Sequence, residues 1–291
     1  MDIRLETFIT VAKIKSYTKA SEILNITQPA VSQHIKFLEE YYGVIFIKKS
    51  GKTIKLTEEG KILYKYAIEL ESIYRNLKTE FRNSDNINKT YYVGASMTIG
   101  GYILPYILAE YKDCYKNIDI LLQVNNTEEI IEKLLNRKID LALIEGIFHK
   151  EKFKYIKYKD DELVLAVSHL HEFAKYKSIT LDEVLKGNLI LREKGSGTRE
   201  IFENKLLEMG YDLKKFKPYM ELGSITAIKS LLEANLGYSI ISKETIKKEV
   251  GSGIIKIIPI KGLKIFREFN FVYLKESDEE FVKAFISFCL K

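Results

Sequence analysis

Apolar residues recur along this chain with four successive rhythms. Between Ser16 and Leu38 the rhythm is that of two short helices around a polar break. The first is predicted over Thr18 to Leu24 with Ala20, Ile23 and Leu24 turned inward, and Asn25, which tolerates the left-handed conformation, closes it. Thr27 is placed to cap the second, Pro29 falls in its first turn where a missing N–H is harmless, and Val31, Ile35 and Leu38 form a buried stripe at i, i+4, i+7. After Gly43 the rhythm shortens to alternation, so Ile45 to Thr57 is expected to be a hairpin about Ser50-Gly51. From Thr57 it lengthens again. Leu63, Tyr66, Leu70, Ile73 and Leu77 follow at spacings of three and four, continued by Phe81, which predicts a long helix with a coiled-coil seam up to a polar break at 83–89. From Tyr91 strands and helices alternate: strands over Tyr91–Ala95, Ile118–Val124, Asp140–Ile144, Leu163–Val167, Leu189–Leu191, Tyr219–Leu222, Tyr238–Ile241 and Ile265–Leu274, with helices over Ile99–Tyr111, Thr127–Leu135, Leu181–Leu185, Thr198–Met209, Ile225–Ala234 and Glu279–Leu290. That order predicts an α/β architecture behind a helical N-terminal module.

The exposed face of the second short helix carries groove-reading chemistry. Gln28 and Gln33 can each bond two atoms of an adenine edge, Ser32 can bond a base or a phosphate, Ala30 leaves room for a thymine methyl, and Lys36 adds charge. Thr18, Thr27 and Pro29 complete this DNA-binding candidate set. In the hairpin, Lys48, Lys49, Lys52 and Lys55 occur with no acidic residue, a pattern suited to phosphates, which give affinity and register but little sequence information. The bland alternatives are an αα-hairpin of some unrelated helical domain and a solvated basic turn.

The run Ala20-Ser21-x-x-Leu24-x-x-Thr27-Gln28-Pro29-Ala30-Val31-Ser32-x-x-Ile35-x-x-Leu38-Glu39 resembles the winged helix-turn-helix of LysR-type transcriptional regulators. Where that family usually carries Leu-Phe-x-Arg, this chain has Phe46-Ile47-Lys48-Lys49, a point charge in place of a guanidinium fork, so a weaker and less directional wing contact is expected. The resemblance implies a C-terminal effector domain like a periplasmic binding protein, with two α/β lobes, the first regaining the chain at its C-terminal end. The domains expected are therefore 1–58 for DNA binding, 59–88 for linker helix and hinge, and 89–291 for the effector domain. Within it lobe I is expected over 89–160 plus 266–291, and lobe II over 161–265.

Two segments leave a strand and open a helix where an anion can be held: Gly94-Ala95-Ser96-Met97-Thr98-Ile99-Gly100-Gly101 and Glu193-Lys194-Gly195-Ser196-Gly197-Thr198-Arg199. Ser96, Met97, Thr98, Gly195, Ser196, Gly197 and Thr198 are the effector-binding candidates, joined by Ser224 before another helix and by Glu145 at the end of a strand. Their resemblance is to a LysR subgroup governing sulfur assimilation, carbon fixation and related metabolism. Ordinary helix capping is the alternative for each segment. A carboxylate at Glu145 would repel an anion unless protonated or paired with Arg199, and a solvated or ion-paired glutamate is the plain alternative.

Composition narrows the picture. The 291 residues are too many for one helical module, and the net charge of +6 leans toward the N-terminal part, with 15 basic against 11 acidic residues in 1–90 and 31 against 29 in the rest. Two distant cysteines, Cys114 and Cys289, argue against a disulfide scaffold and fit a reducing cytoplasm. No apolar run reaches about 18 residues, and Met1-Asp2-Ile3-Arg4-Leu5-Glu6 is unlike a signal peptide, so no membrane partner is expected. His149, His169 and His171 lack metal-site spacing, and no nucleophile elbow, P-loop or paired-carboxylate motif occurs, so neither metal, cofactor nor catalysis is expected. The expected partners are operator duplex DNA, a small anionic effector, RNA polymerase and a second or further copies of the chain, as homodimer or homotetramer. Competing readings are a constitutive DNA-binding repressor with a vestigial cleft and an enzyme fused to a DNA-binding module.

Overall fold

The computed structural model describes residues 1–50, 53–82, 89–275, 277 and 279–290, which divide into two compact units, Met1–Lys89 and Thr90–Lys291.

The first unit opens with helix α1 (Ile3–Ile14), capped by the Asp2 carboxylate and ended by Lys15 in the left-handed conformation. Helix α2 (Tyr17–Leu24) is capped by Ser16 and ended by left-handed Asn25, and α3 (Gln28–Tyr42) is capped by Thr27, whose hydroxyl accepts from the Ala30 N–H at 3.3 Å. Val31, Ile35 and Leu38 are buried with Phe8, Val11, Ala20 and Phe46. One inward assignment fails and one holds only in part: Ile23 is exposed and Leu24 half-buried, since α2 turns the face of Ala20 and Ser21 to the core. Strands β1 (Ile47–Ser50) and β2 (Thr53–Leu56) form the antiparallel wing. Helix α4 (Glu58–Arg82) follows, and its seam is divided in use: Leu63 packs on the helix-turn-helix core, while Tyr66, Leu70, Ile73 and Leu77 are exposed beside Ile62 and Tyr74. Ala67 and Ile68 dock α4 on Ile9 of α1. The expected hinge at 83–88 and Lys52 lie outside the described residues.

The second unit holds one mixed sheet. Its strands are β3 (Lys89–Ser96), β4 (Ile118–Asn125), β5 (Leu141–Glu145), β6 (Lys154–Ser168), β7 (Leu189–Arg192), β8 (Met220–Leu222), β9 (Tyr238–Ser242), β10 (Ile255–Ile258) and β11 (Ile265–Tyr273). They run in the order β4-β3-β5-β11-β6-β9-β7-β8, with β10 on β6. The helices are α5 (Met97–Tyr102), α6 (Leu104–Cys114), α7 (Thr127–Leu135), α8 (Leu181–Lys186), α9 (Gly197–Glu208), α10 (Ile225–Glu233), α11 (Lys247–Gly251) and α12 (Glu279–Cys289). The single helix expected over Ile99–Tyr111 is two, broken at Ile103, because Pro105 has no N–H to give the preceding turn and its ring clashes with that turn's carbonyl. None of the helices among the described residues is long and apolar enough to cross a membrane.

Two halves of this sheet have separate cores. Val93, Ala95, Leu141, Leu143, Phe269 and Phe271 pack under Ile99, Leu104 and Phe285 in one, and Leu163, Leu165, Val167, Leu189, Leu191 and Ile240 pack on Phe202 and Leu206 in the other. Alternate residues Val164 and Ala166 serve the opposite face with Ile228 and Leu232, as the two-residue period of a strand requires. What joins the halves is β6, paired over Lys154–Leu163 with β11 in a register that sets Arg267 opposite Asp161. That pair falls where the two lobes meet.

Candidate functional site

In the first unit Gln28, Pro29, Ser32, Gln33 and Lys36 are all exposed on α3, with Ala30 half-buried and Thr18 exposed on α2. Lys36 carries a loose ion pair to Glu40 at 3.5 Å, of the solvent-screened kind that contributes little. On the wing, Lys48 and Lys55 are cross-strand partners and both exposed. Like charges facing across strands destabilise a hairpin unless an anion lies between them. Lys49 belongs to the same strand.

Two supporting residues escaped the sequence reading. Glu39, near the end of α3, accepts the Phe46 and Ile47 N–H groups at 2.8 and 3.1 Å, which fixes the root of the wing to the recognition helix. His34 meets the Thr7 hydroxyl through Nδ1 at 2.8 Å. The same Thr7 hydroxyl lies 2.8 Å from the Ile3 carbonyl, so it ties His34 of α3 to the first turn of α1. At the wing's base, a Cβ on Gly60 would stand 2.2 Å from the Phe46 carbonyl oxygen, so only glycine fits.

In the second unit Ser96, Thr98, Glu145, Ser196 and Thr198 are all buried, and a residue not anticipated from sequence draws three of them together. Arg267, on β11, donates through Nε to Asp161 Oδ2 at 2.7 Å and through Nη1 to the Thr198 hydroxyl at 2.9 Å, while Nη1 stands 3.5 Å from Glu145 Oε1. Ser96 donates its hydroxyl to Glu145 Oε2. The remaining guanidinium nitrogen, Nη2, is buried without a hydrogen-bond partner. Asp161 is completed by the Ser242 hydroxyl at 2.9 Å. Burial pushes the Asp161 carboxyl above its ordinary range; Arg267 and the Ser242 hydroxyl oppose this, and the Glu145 charge adds to it.

The glycines act by allowing approach. A Cβ on Gly197 would lie 2.3 Å from the Glu145 carbonyl oxygen, and Gly195 holds a φ of +84° that glycine adopts freely. Beside them the Glu128 N–H donates to the Gly195 carbonyl at 3.2 Å, and the Ile147 N–H to Glu200 Oε2 at 3.4 Å, so bonds cross from lobe to lobe on either flank.

The capping alternative is resolved differently at each segment. Neither Ser96 nor Ser196 caps its helix with its side chain, whereas Ser224 does, accepting from the Ala227 N–H at 3.2 Å. Ser224 is exposed and stands outside the buried cluster; Met97 is half-buried at the cluster's edge in sequence. Glu145 pairs with Arg267 rather than with Arg199, which is held by Glu203 and Glu221 at 2.6 and 2.7 Å. The histidines have local duties: His171 Nδ1 accepts the Phe173 N–H at 3.2 Å and His149 pairs with Glu151. A signal for Arg267 did exist, since it shares strand parity with Ile265 and Phe269 and so points a charge to a core face.

Residues 3–61 match the family described as the bacterial regulatory helix-turn-helix protein, lysR family, and residues 84–291 match the LysR substrate binding domain. An uncharacterised helix-turn-helix transcriptional regulator of Methanocaldococcus jannaschii is 34% identical over 98% of this chain and 97% of its own. A probable RuBisCO transcriptional regulator of Phaeodactylum tricornutum is 33% identical over 97% of this chain and 93% of its own. Among solved structures, the regulatory domain of Synechocystis CcmR in complex with 2-PG superposes with a TM-score of 0.63 at 25% identity, covering 70% of this chain and 96% of that one. The chain belongs to the LysR family of transcriptional regulators.

Proposed function

We propose that this regulator acts in the cytoplasm by reading operator DNA with Gln28, Ser32 and Gln33, gripping phosphates with Lys36, Lys48 and Lys49, and responding to a small anion bound at the Arg267 cluster. One observation carries the effector half of this reading: a fully enclosed guanidinium with one nitrogen unpartnered, beside the hydroxyls of Ser96 and Thr198. A buried donor left unpaired costs about 1–3 kcal/mol, more for a charged group, and a bound oxyanion relieves it. The CcmR regulatory domain was solved in complex with a ligand, 2-PG, in a fold of this kind. Binding would exchange the lobe-to-lobe bonds at Gly195 and Ile147 for bonds to ligand, shifting the balance between lobe arrangements. The exposed apolar residues of α4, from Tyr66 to Leu77, supply the face for a second copy, so that two heads read one symmetric site. Contact with RNA polymerase follows from the role.

The test is calorimetry with a panel of small anions on the full chain, followed by operator binding with and without the anion that binds. Thr98→Ala and Thr198→Ala are expected to weaken anion binding by about 1–3 kcal/mol each. Failure of every anion to bind, with operator binding intact, would favour a constitutive repressor.

A further inference from the structure

The cluster around Arg267 contains one cation and two carboxylates, and the two are not equivalent. Asp161 has both oxygens engaged, one by Arg267 Nε and one by Ser242. Glu145 has only Oε2 engaged, by Ser96, while Oε1 faces Arg267 Nη1 across 3.5 Å, too far for a good hydrogen bond. The side chains of Arg267, Asp161 and Glu145 are 1%, 1% and 2% exposed. In such a setting charges are screened weakly, and an arriving anion meets a site already negative by one.

One cluster therefore holds an unmet donor and a poorly met acceptor. Arg267 Nη2 is a buried donor without an acceptor, and Glu145 Oε1 has Arg267 Nη1 no closer than 3.5 Å. A ligand made only of acceptor oxygens serves the first and collides electrostatically with the second. A ligand that keeps an acidic hydroxyl serves both, because its O–H donates to Glu145 Oε1 while its other oxygens accept from Arg267 Nη2 and from the hydroxyls nearby.

Building on the anion-binding reading above, we infer that the effector is an oxyanion that retains a proton at neutral pH, and that Glu145 is the residue selecting for that proton. Inorganic phosphate and bicarbonate belong to this class, whereas a phosphate monoester, with a second pKa of about 6, is mostly the proton-free dianion at pH 7. Sulfate and nitrate, equal to phosphate and bicarbonate in shape, do not.

The matched pairs provide the experiment. Titration calorimetry on the full chain at one pH near neutrality compares inorganic phosphate with sulfate, which share tetrahedral geometry, and bicarbonate with nitrate, which share planar geometry. The protonated member of at least one pair is expected to bind about tenfold or more tighter than its partner, the scale of one hydrogen bond to a charged group. Glu145→Gln removes the charge and offers an N–H, and should bring that pair to within about threefold by strengthening the unprotonated member. Equal binding of both members by the unaltered protein overturns the inference, whether or not the variant folds, and so does a preference that survives in folded Glu145→Gln. If the folded protein binds no oxyanion at all, the anion-binding reading falls and this inference with it. Binding without discrimination leaves that reading standing and removes only the role of Glu145.

Discussion

Gln28, Ser32, Gln33 and Lys48 stand in solvent on the first unit, whereas Ser96, Glu145, Thr198 and Arg267 of the second are enclosed and bonded to one another. The difference follows from the partner each face is proposed to meet. Duplex DNA brings its own regular surface, so the protein needs side chains that project and a backbone that holds still. A small ion has no surface of its own, and the protein must surround it, which forces polar groups into the interior and obliges each to find a partner. Exposed sites tolerate single changes with local effects, and enclosed ones do not.

The largest expected effect lies in the enclosed site. Arg267→Met strands Asp161 and Glu145 without their cation, and removing one partner of a buried pair costs about 3–5 kcal/mol. Denaturant unfolding should show that loss, and Asp161→Asn added to the variant should recover part of it. A variant as stable as the parent would mean that the cluster is not a single electrostatic unit. Next comes the α4 face: Leu70→Glu places charge in the proposed interface, and sedimentation should show the assembly weakened; an intact, DNA-binding dimer would assign the face elsewhere.

On the exposed site the effects are smaller and separable. Gln28→Ala or Gln33→Ala should relax sequence preference by about 1–3 kcal/mol for a lost bidentate base contact. Lys48→Ala should instead weaken operator and random duplex alike and lower the salt dependence by about one phosphate. Binding to both duplexes across salt concentrations decides, and unchanged discrimination in both glutamine variants removes them from base reading. The smallest effect is one of pH. Burial, only partly offset by Glu172, holds His171 below its ordinary range, so the folded state prefers it neutral. Its contribution is present above the unfolded value near 6.5 and is lost as the pH falls below it. Melting at pH 7.5 and 5.5 should differ by more in the parent than in His171→Gln, and an identical difference would exclude His171 as a source.

How much of this could be read in advance follows the same division. The stripe Val31, Ile35, Leu38 fixes which side of α3 is exposed, because a helical face is set by residues within a few turns of one another. Ser96 and Thr198 stood out for the same local reason, as hydroxyls at strand-to-helix junctions. Their partner was legible only as an inward charge, since Arg267 lies 69 residues beyond Thr198 and reaches it only when β11, paired with β6, is packed against α9. Ser224 differs from the other junctions: it shares their local pattern, yet it is exposed and its hydroxyl accepts the Ala227 N–H to cap α10. Glu39 was hidden because a helix periodicity reports whether a position is inward, not that a carboxylate there will collect two backbone N–H groups from the wing.

The pairing of β6 with β11 has a thermodynamic consequence. Each lobe draws strand from the same two segments, so neither can melt without stripping hydrogen bonds and core residues from the other. Residues 90–291 should therefore behave as a single cooperative unit in calorimetry despite having two cores. Stabilisation supplied by an ion bound at their junction would then be shared by the whole unit, from α6 to α10, so that occupancy is registered as protection against exchange at amides far from any bound atom.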